Sequence, residues 1–190
     1  MERTGKSGPA FTTTLEIMRA DERDDHVKTV YAQFGLALYL TQVLEHGLVN
    51  ALVFIDLLPS RAGNPVPRKQ WEAEFDSFLE RNFETTLGKM IRSLKAVSQI
   101  PGDLESTLAD ALTKRNFLAH HFFRERSDEF MSQEGREKMI AELQDAQALF
   151  EAADAKLAEA TKSARAKYGF TDERIEQMIE ERLRTIKHDL

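Results

Sequence analysis

The chain has 190 residues, 42% hydrophobic and 31% charged, a size and balance suited to one folded domain with its own core. It contains no cysteine, which excludes disulfides and thiolate metal sites. A formal net charge of −6 argues against broad, non-specific nucleic-acid binding but leaves room for a local basic patch.

Residues 1–9 lack the apolar run of a signal peptide, and residues 1–20 read as a flexible arm in which 11–18 can pack as a short segment. A first helix is predicted over about 25–57. Its apolar residues, among them Leu36, Leu40, Val43, Leu48 and Phe54, point nearly all round. Such a helix must be covered on more than one side, either at the centre of a bundle or with one face in a dimer seam. Residues 34–58 are the most apolar stretch, yet they include Glu45, His46, Asn50 and Asp56. A core helix is therefore expected rather than a membrane span, and the protein is expected to be cytoplasmic.

Residues 59–67 hold three prolines and a glycine and read as a loop. A second helical region follows over about 69–97, with Gly88 as the dividing point. Pro101-Gly102 makes a turn, and Asp103 is expected to cap a third helix reaching His121. A charged connector over 124–132 leads to a long helix ending near Gly169, the expected C-cap. Met139, Leu143, Ala146, Phe150, Ala153, Leu157, Ala160 and Ala164 recur at heptad spacing, the pattern of an antiparallel or dimeric helix seam. Thr171 then caps a last charged helix to about 186, most simply a solvated face. Strand alternation and repeats of solenoid length are absent. The expectation is an all-α up-down helical bundle over 21–169 with a long C-terminal heptad-like helix, followed by a charged helix over 170–190.

The third helix carries the chemistry. At roughly 100° per residue, Leu104, Leu108, Ala111, Leu118 and Phe122 share one stripe, and Arg115 lies in its middle. A core-facing arginine needs a partner or a polar cavity. Glu45 on the apolar first helix is the structural partner to expect. Asn116 and His120, four residues apart, stack on one flank, and His121 lies round the other side. Arginine suits bidentate phosphate contact and stabilisation of charge on a phosphorane, and histidine carries protons near neutral pH. Lys114, Arg124 and Arg126 add a local basic patch. Arg81-Asn82-Phe83 repeats the first half of the motif with no histidine after it.

Arg115-Asn116-Phe117-Leu118-Ala119-His120 resembles the signature of the HEPN superfamily: an arginine, a polar residue, then a histidine after four to six intervening positions. His121 fits the same spacing with five. The resemblance implies a small all-helical protein, often a homodimer, in which two copies of the motif form one composite site. Many members are metal-independent endoribonucleases, commonly toxins or antiphage effectors, some with an antitoxin partner. It implies that Arg115, Asn116 and His120 are catalytic, that RNA is the substrate, and that no cofactor or metal takes part. His121, Lys114, Arg124 and Arg126 would bind RNA. A toxin subgroup has tyrosine two positions after the histidine, where this chain has Phe122, so modification at that position is not implied here. Some members do not cleave RNA, and the other expectation is a non-catalytic helical interaction protein in which Arg115 is a buried structural pair.

Overall fold

The structure, a computed structural model, describes residues 14–188, with side chains over 24–186. Among the described residues it is an all-α helical bundle without strands. The first helix, α1 (Thr14–Leu52), begins well inside the expected arm; residues 1–13 lie outside the described residues. It passes through a π turn (Val53–Leu57) into α2 (Leu58–Ala62). Pro59 explains that turn. A proline lacks the N–H that would bond back to residue 55, and its ring crowds that carbonyl. The helix widens ahead of it, and the Leu58 N–H bonds to the Val53 carbonyl instead. The loop expected over 59–67 therefore starts only after Ala62.

The second helical region is two helices, α3 (Arg68–Phe83) and α4 (Leu87–Val97). The break falls at Thr86, whose hydroxyl accepts from the Lys89 N–H, and Gly88 lies buried inside α4. Helix α5 (Gly102–His120) starts after Pro101, so Asp103 sits in its first turn and is not the cap. The charged connector contains two short helices, α6 (Phe122–Glu125) and α7 (Ser127–Phe130), whose aromatic residues pack against Tyr31 and Phe34 of α1. The Ser132 hydroxyl caps α8 (Gln133–Ala166) by accepting from the Gly135 N–H. Gly169, at φ +82°, closes α8 as expected. The Phe170 N–H bonds to the Arg165 carbonyl and the Gly169 N–H to the Ala166 carbonyl, the Schellman arrangement that relies on a left-handed residue. Helix α9 (Asp172–His188) follows.

Successive long helices alternate in direction, so the first and last of the bundle run the same way. Gln147 of α8 donates to the carbonyl and side chain of Gln33, Gly47 faces Asp154 and Leu157, and Phe54 meets Tyr168. Rising numbers on α1 thus meet rising numbers on α8. The heptad seam is a parallel one within the chain, and this corrects the antiparallel or dimeric expectation. Met139, Leu143, Ala146, Phe150, Ala153 and Leu157 are buried along it with Val30, Ala37, Leu44 and Leu48. At its upper end the seam moves from Ala160 to Thr161, the drift expected of a straight 3.6-residue helix against a strict heptad. Helix α5 crosses this pair, with Leu104, Leu108, Ala111 and Leu118 buried. The path over Asp24–Ala62 is long and apolar enough to cross a membrane by length and composition, and part of it is buried in the bundle.

Candidate functional site

The core stripe of α5 fixes where the motif points. Burial of Leu108, Ala111, Leu118 and Phe122 turns Arg115 toward α1 and leaves Asn116, His120 and His121 exposed. Arg115 is held at two points. One Nη lies 3.7 Å from Glu45 Oε1, the partner the spacing predicts, and the other donates to Asn116 Oδ1 at 3.3 Å. The Glu45 contact is long and makes no hydrogen bond, and the two side chains keep 28% and 21% of their exposure. A guanidinium has five N–H donors. Among the described residues, Arg115 directs only one into a hydrogen bond.

Arg126 behaves differently. Its Nε and one Nη donate to the two oxygens of Glu142 at 2.8 and 3.3 Å, while Lys114 Nζ lies 3.5 Å from the same carboxylate. Lys114 and Arg126 also lie over the Phe117 ring, at 5.6 and 5.4 Å from its centre respectively. Burial pushes the Glu142 carboxyl up, but the Arg126 hydrogen bonds and the charges of Arg126 and Lys114 outweigh it and hold the group below its usual value. The same hydrogen bonds raise Arg126 further. Two of the three cations expected to guide RNA are therefore committed to one acid from α8. They line an open cavity of about 470 Å³ with Asp110, Thr113 and Leu149.

Arg124 is exposed and lies 2.7 Å from His121 Nδ1, with Glu125 3.7 Å from the same nitrogen. The His120 and His121 rings stand 6.3 Å apart, nearly perpendicular. The structure thus gathers Arg115 with Asn116, and His121 with Arg124. It does not bring His120 onto Arg115 within one chain. Five helical positions separate these two by roughly 140° around the axis and about 7.5 Å along it. One chain thus presents a guanidinium, an amide and an exposed imidazole on different flanks of α5, without closing them round a single point.

Some polar features have no signal in the spacing. Arg136 is buried beside the α7–α8 turn and donates to the Phe130 carbonyl at 2.9 Å. Between α1 and α8 a cavity of about 180 Å³ is lined by Asn50, Asp154, Thr161 and Arg165. Burial pushes the Asp154 carboxyl up, and among the described residues Arg165 Nε is buried without a hydrogen-bond partner. Local sequence could not locate either feature, because the surrounding groups come from different helices. Comparison with family models, curated proteins and solved structures gives no match.

Proposed function

We propose that the chain is a HEPN-like, metal-independent endoribonuclease whose site is completed by a second copy, acting in the cytoplasm as a toxin or antiphage effector. The observation that supports this reading is the contrast between two arginines. Arg126 is tied at two atoms to Glu142, whereas Arg115 is partly open, loosely paired and keeps most of its donors for an anion. In the proposed reaction the ribose 2′-oxygen attacks phosphorus and the P–O5′ bond breaks. The products are a 2′,3′-cyclic phosphate and a 5′-hydroxyl. His120 of one copy accepts the 2′-hydroxyl proton, and His120 of the other protonates the departing 5′-oxygen. Arg115 stabilises the pentacoordinate phosphorus and Asn116 orients the phosphate.

A second reading has its own support. The Arg115–Glu45 contact exists, and Lys114 and Arg126 are neutralised, as in a helical interaction protein without RNA chemistry. Incubation of the full chain with single-stranded RNA in EDTA separates the two. The ribonuclease reading expects cleavage to cyclic-phosphate ends, with Arg115→Ala and His120→Ala each slowing it at least about a hundredfold, the lower range for a lost acid–base group or charge stabiliser. Equal activity in wild type and both variants sinks it.

A further inference from the structure

The seam between α1 and α8 carries polar groups that its packing does not use. Its cavity of about 180 Å³ opens beside Asn50 and Ala158, which are exposed. Buried Ala51, Leu157 and Thr161 form the floor. At roughly 30 Å³ per water, the space suits a molecule of about six non-hydrogen atoms.

Asp154 stands at one end. A Cβ on Gly47 would lie 2.6 Å from its Oδ1, so a side chain at that position of α1 would displace the carboxylate. Burial alone acts on the group, and among the described residues no hydrogen bond or ion pair reaches it. Arg165 stands at the other end. One Nη donates to the Ala158 carbonyl at 3.2 Å and to Asp172 at 3.5 Å. The guanidinium thereby reaches back seven positions along α8. It stops four positions short of Asp154, about 6 Å along the axis. Asp154 and Arg165 thus line one cavity without forming an ion pair. Charges set into a helix seam in this way carry a desolvation cost without the mutual attraction that would offset it. Paired with a pocket, such groups point to a ligand. An anion alone would be repelled by Asp154, and a cation alone by Arg165. A molecule with opposite charges at its two ends satisfies both.

We propose that this cavity binds a small zwitterion, its ammonium group donating to Asp154, its carboxylate accepting from Arg165, and a short methylene stem lying on Ala51 and Leu157. A free amino acid with a small or absent side chain has this chemistry and this size. The inference rests on α1 and α8 and does not depend on RNA cleavage.

Isothermal titration calorimetry of the full chain tests it with glycine, β-alanine and 4-aminobutyrate, using acetate and methylamine as single-charge controls. At least one zwitterion should bind at one per chain, and the three stem lengths report which spacing of charges the cavity takes. Each control should bind at least about tenfold more weakly, because it forgoes one charge-assisted contact. Asp154→Asn keeps the shape of the side chain and removes its charge, so it should weaken the zwitterion about tenfold or more. Ala158→Leu puts a larger side chain at the exposed mouth and should abolish binding, while circular dichroism shows the helix content of wild type. Binding that neither substitution changes would place the ligand elsewhere on the chain. Controls that bind as tightly as the zwitterions would mean simple ion attraction. Either result overturns the proposal, and so does a chain that takes up none of the three zwitterions at about 10 mM, a concentration that reveals even millimolar affinity.

Discussion

Replacing Glu45 by glutamine asks whether Arg115 is a structural ion pair or a guanidinium held ready for an anion. At 3.7 Å the gross attraction is about 4 kcal/mol at an effective dielectric constant of roughly 20. Desolvation and the ordering of two partly exposed side chains cancel most of it, leaving about 0.5–1 kcal/mol. For a chain of this length the loss corresponds to about 1–4 °C in Tm. Glu142→Gln provides the internal comparison. It weakens two charge-assisted hydrogen bonds from Arg126 and removes the Lys114 contact. The expected cost is about 2–3 kcal/mol, or about 4–12 °C. Thermal melts by circular dichroism at pH 7 read both variants. A loss for Glu45→Gln equal to or greater than that for Glu142→Gln would show that Arg115 is clamped structurally, and the proposed phosphate role would lose its premise.

Acid should act through the same cluster. Because the Glu142 carboxyl is depressed in the folded state, its stabilisation is present above the usual glutamate value near pH 4.3 and is lost as pH falls through the lower folded value. The urea midpoint of wild type should therefore approach that of Glu142→Gln at pH 3, and a gap that stays constant from pH 7 to pH 3 contradicts the linkage. Gly135→Ala should cost about 3 kcal/mol or more. A Cβ there would lie 2.0 Å from the Glu129 carbonyl oxygen and 2.5 Å from two further backbone atoms of Glu129, which no side-chain rotation relieves. A Tm within 2 °C of wild type, a loss of about 1 kcal/mol or less, would show that the α7–α8 turn yields easily.

Features governed by one helix were legible in the sequence. The apolar stripe of α5, the inward Arg115 and the Gly169 cap all follow from periodicity or from one backbone conformation, and the structure shows each of them. Glu45 was accessible as well, because an inward arginine needs an acid and the first helix offers one. Features set by meetings between helices were not. Heptad spacing states which face of α8 is buried but not the direction of its partner, so the parallel seam with α1 was hidden. Glu142 capturing Lys114 and Arg126 joins residues 28 and 16 positions apart, and among many acids of α8 nothing local marks it. Thr86 was a readable cap overshadowed by Gly88. In the connector, the charges of 124–129 concealed the packing of Phe123 and Phe130 on Tyr31. The motif residues could be placed on flanks of α5, but whether a second copy meets them depends on surfaces that spacing does not encode.

The parallel pairing of α1 and α8 also orders events during synthesis. Gln33 and Gln147, which bond across the seam, are 114 positions apart. At about 5–20 residues per second, roughly 6–23 s pass between their emergence from the ribosome. Throughout that interval the nascent chain displays the longest uncharged apolar segment of the protein without its main partner. Helices α3 to α5 emerge first and can shelter only part of it. Truncations that stop before α8 should therefore leave this segment uncovered and aggregate, which light scattering of such fragments would read.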